Sequence, residues 1–147
     1  MCSSASNRVK GIVLHDILST VSSPGDVDNA LAKAAVDGVL GKEEINEVAE
    51  LLRERIAQAV SWGWFPDDGD GVLNETTLID TDGGLYRPDR VVVKDGKVTV
   101  IDYKFGEHDP KYERQLRKYA DIWGRMGYED VSAYLWYVYV GEVRRVI

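Results

Sequence analysis

Cysteine is almost absent from the 147 residues: only Cys2, close to the start, carries a thiol. One thiol cannot close an internal disulfide, nor can it build a four-cysteine zinc or iron–sulfur centre. A reducing cytoplasm is therefore the expected compartment, and no iron–sulfur cluster is expected. Long apolar runs are missing too. No stretch of about 18 apolar residues occurs, so no membrane-spanning helix is expected. Residues 1–10 are small and polar and lack the apolar middle of a secretory leader. They are read as a flexible N-terminal segment ahead of a single domain over 11–147. Positive charge is also short: 18 Lys and Arg against 25 Asp and Glu leave a net charge of −7. Nucleic-acid binders that act by themselves are usually basic, because phosphate neutralisation drives their affinity. This balance argues against a chain that grips a polyanion by net charge. It is compatible with a carboxylate centre that holds a cation, and with a neighbouring domain or partner that delivers the substrate.

The hydrophobic fraction, 44%, is ordinary for a chain with a real core. Helical spacing of Leu14, Leu18 and Val21 predicts a helix over 9–22, ended by Ser22-Ser23-Pro24-Gly25. An Ala-rich helix is predicted over 26–37, stopping at Gly38. The clearest helix is 42–61, with Ile45, Val48, Ala49, Leu52, Ile56 and Ala59 on one stripe. The pattern then changes. Pro66 to Gly71 reads as a solvated loop; its acids lack the spacing and closing Glu of a calcium-binding loop. Strands are predicted over 72–80, 85–94 and 97–104, then a helix over 111–126 and a strand over 131–140 that is apolar on both faces. A short strand over 143–147 closes the chain. Helices, a β-meander, a helix and a strand in this order predict an α/β (α+β) domain, with a mixed central sheet flanked by helices.

Asp95-Gly96 between Lys94 and Lys97 is the strongest hairpin signal in the sequence. A two-residue loop fixes the register: Lys94 opposite Lys97, Val93 opposite Val98, Val91 opposite Val100 and Asp89 opposite Asp102. Opposed side chains share a face with Cβ atoms about 5 Å apart, so two carboxylates are brought side by side. Such a pair repels unless a cation lies between. Magnesium, which takes one or two carboxylates plus water and phosphate, suits the place. Lys104, two residues beyond Asp102, shares that face and can stabilise charge growing on a phosphate. The same face carries Val91, Val93, Val98 and Val100, so it is expected to be covered, where an unpaired carboxylate pair is costly. A three-residue turn over Thr81-Asp82-Gly83 would set Glu75 opposite Asp89 as a third carboxylate, and Arg87 would face Lys104.

Arg87-Pro88-Asp89-Arg90, followed by Asp102-Tyr103-Lys104, resembles the PD-(D/E)XK nuclease superfamily. Gln115-Leu116-Arg117-Lys118-Tyr119 has the Q-x-x-x-Y pattern of its RecB-like branch, and Gly11 to His15 has the upstream G-x-x-x-H pattern. The resemblance implies a restriction-endonuclease-like core with a catalytic β-hairpin. It implies magnesium or manganese held by Asp89, Asp102, His15 and the Tyr103 backbone carbonyl, with Glu75 as a further ligand. Lys104 would position or activate water. Gln115, Tyr119 and Arg87 would orient the hairpin or touch DNA. The implied activity is metal-dependent DNA hydrolysis, as an exonuclease of recombination or repair joined to a helicase motor in cis or in trans. The alternative is a nuclease-like scaffolding module that has lost catalysis; here every motif position is filled. Plain packing rivals function for Tyr119, which continues an apolar stripe, and His108 is read as merely exposed.

Overall fold

The computed structural model describes residues 10–147; Cys2 and all but the last residue of the predicted N-terminal segment lie outside the described residues. The Asp95-Gly96 turn behaves as its composition requires. Both residues take positive φ (53° and 78°), the signature of a type I′ turn, whose twist matches the flanking strands. Strands β4 (Arg90–Lys94) and β5 (Lys97–Lys104) pair antiparallel, with Lys94 opposite Lys97, Val93 opposite Val98 and Val91 opposite Val100, in the predicted register. β5 lies at the centre of a five-stranded mixed sheet whose order is β1 (Val72–Asn74), β4, β5, β6 (Asp130–Tyr137) and β7 (Glu142–Arg145). β6 joins β5 in parallel, and β7 returns antiparallel to β6. A parallel pair needs a long crossover, supplied here by helix α4 (Pro110–Arg125).

Alternation along β5 sends its side chains into two cores. Ile101 and Tyr103 join a cluster with α1 (Gly11–Leu18), α2 (Val27–Val36) and α3 (Lys42–Ser61). Val98 and Val100 join a second cluster with Leu116, Tyr119 and Trp123 of α4. Asp102 and Lys104 share the parity of Val98 and Val100 and project to the α4 side. The fold is therefore a mixed sheet flanked by helices, restriction-endonuclease-like as the sequence pattern implies. No helix among the described residues is long and apolar enough to cross a membrane.

Four elements differ from the sequence reading. The first helix stops at Leu18 rather than 22; Val21 is instead buried in the turn that follows. The strand expected over 131–140 ends at Tyr137, where Gly141, with φ 74°, turns the chain into β7. The strands expected over 72–80 and 85–94 are each interrupted. β1 (Val72–Asn74) pairs with β4, and β2 (Leu78–Ile79) pairs with β3 (Leu85–Tyr86) in a separate ribbon. The two ribbons keep one register, with Asn74 opposite Arg90 and Leu78 opposite Tyr86. The tip is the three-residue turn over Thr81–Gly83, closed by the Asp80 N–H donating to the Gly84 carbonyl at 2.8 Å. What breaks the ladder is Glu75, whose φ of 52° is rare for a residue with a side chain. After the break the ribbon turns its other face inward, so Leu78 and Tyr86 pack on the α4 side together with Leu73 and Val91. Asp80 pins the ribbon down, with Arg125 at 2.8 Å and Lys118 at 3.6 Å.

Candidate active site

The interruption in the hairpin is where the predicted residues meet. Asp89 precedes β4 by one residue, at the mouth between the ribbons. The Glu75 N–H donates to the Asp89 carbonyl at 3.1 Å, the pairing that the three-residue turn predicts. The Asp89 carboxylate turns toward β5: its Oδ2 accepts the Tyr103 N–H at 2.7 Å. In return Asp102 Oδ1 accepts the Asp89 N–H at 3.0 Å. Each aspartate is thus fixed by the main chain of the opposite strand, and neither depends on a mobile partner. The Tyr103 peptide is tied to Asp89 through its N–H.

His15 reaches the same point from the other layer. Its Nε2 lies 2.5 Å from Asp89 Oδ1, and its Nδ1 lies 3.2 Å from Glu75 Oε1 and 3.6 Å from Asp16 Oδ1. Gly11 makes this approach possible. A Cβ at that position would lie 2.6 Å from the Phe105 Cβ, closer than carbon atoms can stand, so any larger residue would hold the first turn of α1 away from the end of β5.

The electrostatics follow from this crowding. The hydrogen bond to Asp89, with the charges of Asp89 and Glu75, overcomes partial burial and raises the His15 imidazole to about 9, so it is a cation at neutral pH. Asp102, 4% exposed, is pushed up to about 6, first by burial and then by the Asp89 charge; the Asp89 N–H and Lys104 oppose the shift. Burial and the two aspartates raise Tyr119 to about 12, so its hydroxyl keeps its proton.

Lys104 stands on the Asp102 side of β5, its Nζ 4.1 Å from the centre of the Tyr112 ring. Arg87 does not face Lys104 as its register suggests. Because the ladder is broken there, the side chain folds back on Glu75: Nε donates to the Glu75 carbonyl at 2.7 Å, and Nη2 lies 3.8 Å from Oε2. Tyr119 is buried, its ring edge-on to Tyr86 at 5.9 Å. Gln115 is exposed on the outer side of α4 and makes no hydrogen bond to a described residue. His108 lies outside this group; rather than standing free, it stacks on Tyr137 at 4.3 Å.

Ligand atoms of His15, Glu75 and Asp89 lie within 4.8 Å of one another. Asp102 stands beside them with Oδ2 free of any donor among the described residues. A set of carboxylate oxygens and one imidazole nitrogen is the donor chemistry of magnesium and manganese, and these residues fit such an ion.

One residue of the predicted motif has a role that the pattern hides. Arg90 is fully buried. Its guanidinium donates to the carbonyls of Trp64 (2.8 Å), Val21 (2.6 Å) and Ser22 (2.7 Å) and to Asn74 Oδ1 (3.2 Å), and it lies 3.7 Å over the Phe65 ring. It ties the end of α1, the loop after α3 and β1 to the strand that starts at Asp89.

A comparison with curated proteins finds no match. The family model of the PD-(D/E)XK nuclease superfamily matches residues 3–146, nearly the whole chain. Its members are phosphodiester-cleaving nucleases dependent on divalent metal, and this chain belongs to the PD-(D/E)XK nuclease superfamily.

Proposed function

We propose that this chain is a magnesium- or manganese-dependent deoxyribonuclease of the RecB-like branch, acting as an exonuclease in DNA recombination or repair with a helicase motor in cis or in trans. One observation carries the reading: Asp89 and Asp102 are locked by each other's strands at a point where His15 and Glu75 also converge. In this reading Asp89, Asp102, His15 and Glu75, with the Tyr103 carbonyl, hold the ion. When bound, the ion offsets phosphate charge and lowers the pKa of water.

The chain's own residues do the rest. The backbone bonds to Asp89 and Asp102 keep both carboxylates aimed without reorganisation, the condition under which electrostatic stabilisation is most effective. Lys104 presents an ammonium group on the same face, where it orients the attacking water and bears part of the charge that grows on the phosphate. Water attacks phosphorus and gives up a proton to solvent, a new P–O bond forms, the ester P–O bond breaks, and the leaving oxygen takes a proton from solvent. Tyr119 keeps its proton beside the carboxylate pair and orients the hairpin, while Gln115 and Arg87 stand at the rim to meet the DNA chain. The G-x-x-x-H and Q-x-x-x-Y patterns support the RecB-like assignment, since His15 lies in contact with Asp89 and Tyr119 feels the charge of both aspartates.

Incubation with linear and with covalently closed circular DNA, with manganese or with chelator, tests this reading. Loss of the linear form alone, only with metal, is expected. Cutting of the closed circle would overturn exonuclease action, and cleavage of neither form would overturn the nuclease reading.

A further inference from the structure

The net charge of −7 conceals a strong segregation. Helix α4 carries Lys111, Arg114, Arg117, Lys118 and Arg125 against Glu113 and Asp121, a balance of +3. Helix α3, which belongs to the core on the opposite face of the sheet, carries Lys42, Arg53 and Arg55 against five glutamates, a balance of −2. The basic helix is the one packed on the face that bears Asp102 and Lys104. Its residues sort by angle. Tyr112 and Tyr119 look toward the site, and Lys111, Arg114, Gln115 and Lys118 follow on the adjoining outer surface. Lys111 and Lys118 sit near tyrosine rings, 5.6 Å from Tyr112 and 5.4 Å from Tyr86, and each also has a carboxylate nearby, Asp109 at 3.8 Å and Asp80 at 3.6 Å, both longer than a direct hydrogen bond. Arg114 is exposed and has no carboxylate within ion-pair distance among the described residues.

We infer that this outer surface of α4 is a phosphate track: Lys111, Arg114 and Lys118 bind the phosphodiester backbone of the substrate strand next to the bond being cleaved. The inference rests on the nuclease reading above and adds to it where the strand runs. From Lys111 to Lys118 the helix rises about 10 Å, long enough to meet more than one phosphate of a strand laid along it. Phosphate is the chemistry that fits: three cations follow one another at one-turn spacing along the helix that packs on the face bearing Lys104. The track also reconciles an acidic protein with a polyanionic substrate, because the acidic helix lies on the far side of the sheet.

The test uses the full chain with a fluorescently labelled single-stranded oligonucleotide in chelator, reading Kd against salt concentration. Each phosphate contact contributes about 0.7 to the slope of log Kd on log salt for a single strand. The double variant Lys111→Gln/Arg114→Gln is expected to lower the slope by about 1.4 and weaken binding. Lys42→Gln/Arg53→Gln, the same charge change on α3, is expected to leave the slope unchanged, and Arg114→Lys to retain it. An unchanged slope in the α4 variant, or an equal loss in the α3 variant, overturns the track. Cleavage of the same oligonucleotide with manganese, measured in parallel, separates the two readings. If cleavage persists while the slope does not move, the track is wrong and the nuclease stands; if wild type neither binds nor cleaves, both fall.

Discussion

Asp89 and Asp102 are bound crosswise: the main-chain N–H of Asp89 donates to Asp102 Oδ1 at 3.0 Å, and Asp89 Oδ2 accepts the N–H of Tyr103, the residue after Asp102, at 2.7 Å. The arrangement holds two like charges together, one of them buried, and it costs stability wherever no cation is bound. Asp102 titrates near 6, above its ordinary 3.8, so its contribution favours folding below about pH 4 and is lost as pH rises through 6. Asp102→Asn keeps the acceptor oxygen and removes the charge. In chelator at pH 7 the variant is expected to be more stable than wild type, by on the order of 1–3 kcal/mol, with the difference vanishing near pH 4. Urea denaturation at both pH values checks this; a less stable variant at pH 7 would mean that the charged carboxylate is itself a structural element.

Gly11 sets the distance between α1 and β5. Gly11→Ala places a methyl against the Phe105 side chain, and either the helix or the ring must move. Overpacking of this kind typically costs about 1–3 kcal/mol. Because His15 rides one turn further along the same helix, manganese affinity, read by calorimetry, is expected to fall as well. A variant that loses stability but binds manganese as wild type does would detach His15 from the metal site.

Arg90 is held by three main-chain carbonyls and Asn74. Arg90→Met fills much of the volume but leaves those acceptors unpaired in the interior, each at a cost of roughly 1–3 kcal/mol. The urea midpoint is expected to drop sharply. Arg90→Lys is expected to recover little of it, since an ammonium cannot reproduce the planar fork. Recovery by lysine would show that charge, rather than geometry, is what the site requires.

Much of this was legible in the residues. The Asp95-Gly96 turn dictates the register that leads from Lys94 and Lys97 to Asp89 and Asp102, and the Thr81–Gly83 turn places Glu75 at Asp89. Local turn chemistry sets strand register, so these contacts are readable at a distance from the turn. The break in the ladder was not readable. It depends on one residue, Glu75, in a left-handed conformation that nothing in its own chemistry favours, and it redirects Arg87 away from Lys104. Arg90 was hidden for a different reason. Its partners lie up to 69 residues away, and an arginine at the start of a valine-rich strand has the appearance of a solvated end.

Tyr112 supports Lys104 through its ring, with Nζ at 4.1 Å. A partly exposed cation–π contact is worth about 0.5–1 kcal/mol, enough to hold an ammonium in one region of a rim. Tyr112→Leu is expected to lower kcat two- to fivefold, roughly that energy expressed as a rate, with KM little changed, and Tyr112→Phe to restore it. A rise in KM at constant kcat would assign the ring to substrate binding instead.

The most direct measurement is cleavage of end-labelled linear single- and double-stranded DNA with magnesium or manganese by wild type, Asp102→Ala and Lys104→Ala, each first shown to fold. The account predicts metal-dependent cleavage by wild type and its loss in both variants, with the product ladder reporting the end from which degradation starts. Cleavage retained by Asp102→Ala would contradict it, because the carboxylate pair would then not be the catalytic centre.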